Sequence, residues 1–264
     1  MALYDRIGVG YDRFRRADAH IARRLFHLVR NESEESCFAK DPYLDVACGS
    51  GNYTIALSEM GLRMIGIDQS ETMIAAARQK SGDVRWSVAD AERLPFPDHT
   101  FAGAVCTLAI HHFSSLEPVF AEVYRTLRSG KFVIFTATKE QMARYWLNEY
   151  FPEAMRASID RMPSASAVAE SLKKAGFRSV SSETYEVTDP LQDFFLYSGK
   201  HRPELYLNPE IRAGISTFAA LADPGEVEDG CRKLERDIET GRIRQVIGRY
   251  QSDSGDYLFA IAEK

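Results

Sequence analysis

Short apolar runs recur along the first half of the chain, each closed by a polar or glycine-rich stretch. Residues 43–47, 63–68, 84–88, 101–109 and 131–138 are such runs, and they read as strands. The fourth is almost wholly apolar, as a strand buried on both faces of a parallel sheet should be. Between them lie segments of helical character. Ile21, Leu25, Leu28 and Val29 repeat at helical spacing within 19–30. Residues 52–60 end before Gly61, a reasonable helix stop. Ser70 is a good cap for 71–80, with Glu71 in the first turn. Residues 116–128 complete the set. Strand alternating with helix predicts an α/β protein with a doubly wound, mostly parallel sheet.

The second half has a different rhythm. Residues 141–161 read as helix and carry Tyr145, Trp146, Tyr150, Phe151 and Met155. Ser164 starts a further helix that Gly176 ends. Residues 177–187 and 256–264 alternate like strands. Between these two strands stands an insert, 189–254, of 66 residues. It is too long and too apolar to be a loop, and 226–248 within it reads as one charged amphipathic helix. The insert is expected to form a helical cap over the strand ends. Its aromatic residues either fasten the cap to the sheet or meet a second copy, so monomer and homodimer both stay open.

Composition narrows the partners. A net charge of −5 argues against a broad nucleic-acid surface. No run approaches the length of a membrane span, and the first residues lack an apolar signal core, so the expected location is cytoplasmic. Cys37, Cys48, Cys106 and Cys231 are scattered without a C-x-x-C pair. Neither a disulfide framework nor a zinc knuckle is expected, and no metal site is assigned.

The candidate chemistry gathers where strands end. Leu44-Asp45-Val46-Ala47-Cys48-Gly49-Ser50-Gly51-Asn52 is a strand, a glycine turn and a helix start. Glycines let such a turn take left-handed backbone and approach a ligand, and the helix start offers N–H groups. The third glycine of a dinucleotide fingerprint is absent, since Thr54 stands there, and no Walker loop follows. Asp68 closes the second strand, 17 residues after Gly51, where an acid can accept from ribose hydroxyls. Asp90 follows the third strand, either as a ligand acceptor or as the cap of a helical turn over 91–94. His111 and His112 follow the fourth. Polar groups at four strand ends on one rim form a site pattern.

With these residues the chain resembles the class I S-adenosylmethionine-dependent methyltransferases, in particular the type 11 group that includes ubiquinone and menaquinone biosynthesis enzymes. The resemblance runs over roughly residues 40–140, through Leu44 to Gly51, Gly66-Ile67-Asp68-Gln69-Ser70, Ala89 to Phe96, Leu108 to Phe113 and Val123 to Lys131. It implies a Rossmann-like, seven-stranded sheet whose last strand is antiparallel and inserted between the fifth and sixth. It implies S-adenosylmethionine as cofactor and S-adenosylhomocysteine as product. The implied cofactor contacts are Asp45, Ala47, Cys48, Gly49 and Gly51 in the turn, Asp68, then Gln69 and Met73 around the adenine, Asp90 and Ala91 at its amino group, and Leu108. Tyr11 and, more weakly, Arg16 would reach from an N-terminal lid. At least one of His111 and His112 would face the acceptor as a catalytic group, positioning it rather than acting as base.

The implied organisation is a helical lid over 1–40, a cofactor-binding core over 41–140, a helical insertion over 141–162, completion of the sheet by 163–188 and 255–264, and the cap over 189–254. The leading expectation is a methyltransferase acting on a small molecule, its acceptor atom open among O, N, S and C. A tRNA or protein methyltransferase, and a cofactor-binding protein without transfer, are the alternatives.

Overall fold

The computed structural model describes residues 13–30 and 41–264; Tyr11 lies outside the described residues. Helix α1 (Ala19–Val29) opens the described chain. Asp18 caps it, accepting from the backbone N–H groups of His20 and Ile21 at 2.9 and 3.2 Å. Its buried face is Ile21, Ala22, Leu25 and Val29, a stripe at three- and four-residue spacing. Next come β1 (Tyr43–Val46), α2 (Asn52–Glu59), β2 (Met64–Asp68), α3 (Glu71–Lys80), β3 (Arg85–Val88), β4 (Gly103–Thr107), α4 (Leu116–Thr126) and β5 (Lys131–Thr136). Ser70 caps α3 by accepting from Met73 N–H at 3.3 Å.

The sheet has seven strands in the order β3-β2-β1-β4-β5-β7-β6, with β6 (Ser179–Tyr185) and β7 (Tyr257–Glu263). β1 to β5 are parallel, and β7 runs antiparallel to both of its neighbours. Period-two alternation sends successive residues to opposite faces. Leu44, Val46, Ile65, Ile67 and Ile134 pack with Phe120 and Val123 of α4 on one side. Tyr43, Met64, Val105, Val133 and Phe135 pack with Leu25, Leu57 and Ile74 on the other. Because β1 to β5 run parallel, their carboxyl ends all fall on one rim of the sheet.

Three expected elements differ. The fourth strand stops at Thr107, because Leu108 turns left-handed (φ 55°). The single helix expected over 141–161 is α5 (Lys139–Met142), a 3-10 turn (Trp146–Glu149) and α6 (Pro152–Arg161). Pro152 forces the break, since its ring excludes the preceding turn and it has no N–H to give back. After α7 (Ala165–Lys174) and α8 (Pro209–Ala213), the expected helix 226–248 is α9 (Pro224–Glu239) and α10 (Ile243–Arg249), parted at Gly241 (φ 74°).

The aromatic load of 141–161 joins the later insert to the sheet. Tyr145 and Tyr197 stack with centroids 3.6 Å apart, and Tyr145 donates to the Asp256 carbonyl at 2.6 Å. Trp146 packs edge-on against Tyr206. Both tryptophan and tyrosines are buried, and Val88 is the one large apolar side chain exposed among the described residues. No helix among the described residues is long and apolar enough to cross a membrane.

Candidate active site

The ends of β1 to β4 surround a cavity of about 280 Å³. After β1 the backbone alternates, with Ala47, Gly49 and Gly51 all at positive φ (57°, 55° and 80°). Only glycine takes that region cheaply, so Ala47 is a strained residue on the cavity wall. The turn is fastened to β2: Gly49 N–H donates to Asp68 Oδ2 and Ser70 N–H to Asp68 Oδ1, both at 2.9 Å. Two backbone donors thus fix the Asp68 carboxylate at the rim.

Asp45 lies deeper and is buried. Thr54 Oγ1 donates to its Oδ2 at 2.6 Å, while Oδ1 has no partner among the described residues. Burial pushes its pKa up to about 7; the Thr54 bond opposes the rise and the Asp68 charge adds to it. Burial, then Asp45 and Asp68, raise the Cys48 thiol well above its usual range, so it is no nucleophile. Cys106 is fully buried in β4 as a small apolar residue.

Asp45, Ala47, Cys48, Gly49, Asp68, Gln69, Met73, Asp90, Ala91, Leu108 and His112 line this one cavity. Asp90 accepts from Glu92 N–H at 2.9 Å, and the residues after it form a turn rather than a helix.

Three expected positions fall elsewhere. Gly51 does not line the cavity: a Cβ there would sit 2.3 Å from the Trp86 ring, so its bareness serves packing behind the turn. Arg16 does not line it; Arg15 does, paired through Nε with Asp193 at 2.5 Å. His111 opens on a second, smaller cavity of about 60 Å³, which shares Arg15 and Leu108 with the first.

Sequence reasoning missed Asn52, Tyr53, Thr107 and Asp193, which also line the larger cavity. Asn52 donates to the Arg15 carbonyl and Tyr53 donates to Asp193 Oδ2, at 2.9 and 3.1 Å. Asn52 directly follows the glycine turn and was open to notice. Asp193 lies 140 positions from Tyr53, and nothing local announces it.

The wall therefore combines carboxylates at three neighbouring strand ends with two buried polar oxygens, Asp45 Oδ1 and Thr107 Oγ1, that have no partner among the described residues. A Cβ at Gly49 would meet nothing within 4 Å, so the turn leaves open space there. Such a lining fits a ligand that is cationic at one end and rich in hydroxyls, as S-adenosylmethionine is. Fold and site together define an α/β protein that binds a nucleoside-bearing cofactor at its carboxyl rim.

The comparisons with known proteins agree. The methyltransferase domain family matches residues 44–135. A solved structure from Anabaena variabilis ATCC 29413, assigned as a methyltransferase of an antibiotic biosynthesis pathway, superposes with a TM-score of 0.81 at 31% identity, covering 94% of this chain and 98% of that one. The methyltransferase YcgJ of Bacillus subtilis is 36% identical over 104 residues, 37% of this chain and 41% of that protein. The demethylmenaquinone methyltransferase of Deinococcus radiodurans is 34% identical over 131 residues, 47% and 49% of the two chains. The match thus spans less than half of either curated relative. The chain belongs to the S-adenosylmethionine-dependent methyltransferases, whose cofactor is S-adenosylmethionine.

Proposed function

We propose that this protein transfers the methyl group of S-adenosylmethionine to a small-molecule acceptor held under the later helices. The carrying observation is a pair of adjoining cavities: an acid-lined one at the strand ends, and a smaller one that shares Arg15 and Leu108 with it. When bound, the cofactor supplies an electrophilic methyl group on a sulfonium. The protein then has to hold, align and keep dry.

Asp68, fixed by two backbone donors, accepts from the ribose hydroxyls. Asp45 offers its unpartnered oxygen to the ammonium end. Gln69 and Met73 flank the adenine, and Asp90 and Ala91 meet its amino group. Arg15 takes the place expected of Arg16 beside the amino-acid end. His112 borders the transfer position. The net charge of −5 and the small second cavity favour a small acceptor over tRNA or protein.

Calorimetric titration with S-adenosylhomocysteine tests this. Binding by the wild type, and loss of roughly tenfold to a hundredfold in affinity for Asp68→Ala with an intact fold, is the expected result. Unchanged affinity in that variant defeats the assignment.

A further inference from the structure

The rim of the sheet is divided between the two cavities strand by strand. Asp90 after β3, Asp68 at the end of β2 and Cys48 after β1 line the larger one. Thr136, at the end of β5, lines the smaller one. β4 stands between β1 and β5, and its end serves both. Thr107 lines the larger cavity, and Leu108, the next residue, lines both. A methyl group passing from one cavity to the other therefore leaves a sulfur held beside the end of β4. Arg15 is also common to both walls, and its charge is taken up by Asp193.

Asp45 Oδ1 and Thr107 Oγ1, on the wall of the larger cavity, are buried and have no partner among the described residues. Asp45 pairs with Val105 in the sheet. Thr107, two residues beyond Val105, therefore faces the same side, one step nearer the rim. The two oxygens are separate stations, since no hydrogen bond joins them. Burying a polar oxygen without a partner is costly, so each calls for a group on the ligand. S-adenosylmethionine has two positive centres, an ammonium and a sulfonium. The deeper carboxylate suits the ammonium. The hydroxyl beside Leu108, where the cavities meet, suits the sulfonium, toward which it can turn a lone pair.

Resting on the methyltransferase reading, we infer that Thr107 is the residue by which this protein tells S-adenosylmethionine from S-adenosylhomocysteine. Its hydroxyl oxygen meets the sulfonium methyl, whose hydrogens share the positive charge. Out of water such an attraction is stronger than in it. Transfer takes away both the methyl group and the sulfur's charge, so the contact holds the substrate form of the cofactor and lets the product form go. Asp45, by contrast, meets an ammonium that both forms carry and cannot separate them.

The test compares two ligands that differ by one methyl group and one charge. S-adenosylmethionine and S-adenosylhomocysteine are titrated separately, without acceptor, into the wild type, Thr107→Val and Thr107→Ser, and the ratio of the two affinities is read. Valine keeps the branched shape and loses the oxygen; serine keeps the oxygen. Thr107→Val is expected to weaken S-adenosylmethionine by roughly threefold to tenfold and to leave S-adenosylhomocysteine within about twofold, which also reports a folded site. Thr107→Ser is expected to keep the wild-type ratio. An unchanged ratio in Thr107→Val overturns the inference, whether neither ligand is weakened or both are weakened alike; equal losses would put the hydroxyl on the ribose or the amino-acid end. A ratio lowered as much in Thr107→Ser overturns it too, since the oxygen is still there. If Thr107→Val does not fold, Thr107→Ala is read against Thr107→Ser in its place. Failure of the wild type to bind S-adenosylhomocysteine, recorded first, defeats the methyltransferase reading instead.

Discussion

His111 and His112 lie ring against ring, centroids 3.9 Å apart, yet they open on different cavities. Burial first, then the Arg161 and Arg15 charges, push His112 down to about 4. Both imidazoles are therefore neutral at physiological pH. In an NMR titration, His112 is expected to change near pH 4 and His111 to show no transition between pH 5 and 8. The sign for stability follows. The unfolded chain binds these protons more readily, so the pair lowers stability as pH falls from the ordinary histidine range toward 4.

Asp45 acts in the opposite sense. Its folded pKa lies above the unfolded one, so the folded protein holds the extra proton. Its contribution is fully present below about pH 4 and fades as pH rises to 7. Asp45→Asn removes this dependence. In urea denaturation, the stability of the variant relative to wild type should climb across that window, by at most about 4 kcal/mol, and then level off. A cationic ligand near Asp45 should also drive its proton off, so cofactor titrations at pH 6 in buffers of different ionisation enthalpy should show proton release.

Gly49 and Gly51 share a left-handed backbone but should fail differently. Gly51→Ala would drive a methyl into the Trp86 ring, and the strain and overlap together should cost about 3 kcal/mol in denaturation midpoint analysis. Gly49→Ala meets open space, so the backbone penalty of about 1 kcal/mol stands alone. Its methyl projects where the cofactor is proposed to lie, and calorimetry should show weakened S-adenosylhomocysteine binding.

Asp193 ties three distant segments together. It receives Arg15 and the Tyr53 hydroxyl, and the Asp18 N–H points at that hydroxyl. Its side chain is 2% exposed and that of Arg15 13%, so neither charge is rescued by solvent. Asp193→Ala should cost about 3 kcal/mol and Tyr53→Phe about 1 kcal/mol, read by urea denaturation. Asp193→Ala should also weaken cofactor binding, since it loosens Arg15 on the cavity wall.

What was legible in the sequence was local. Asp68 could be placed because a strand end fixes where a carboxylate points, and Ser70 because a cap is set by its own neighbours. The helix breaks at Pro152 and Gly241 were equally local, but the aromatic load around Pro152 and the charged amphipathic pattern running across Gly241 obscured them. The choice of Arg15 over Arg16 depends on Asp193, which folding alone brings near. Gly51 looked like a ligand contact, yet its constraint is the Trp86 ring, and no spacing in the sequence connects those two residues.

Trp86 gives that packing a practical meaning. The chain has two tryptophans, and Trp146 sits far along it among the aromatics of the later helices. Trp146→Phe would leave a single indole wedged behind the glycine turn, its Nε1 bonded to the Ser81 carbonyl. The emission of that lone fluorophore would then follow the cofactor-side turn directly, with no label attached to the molecule.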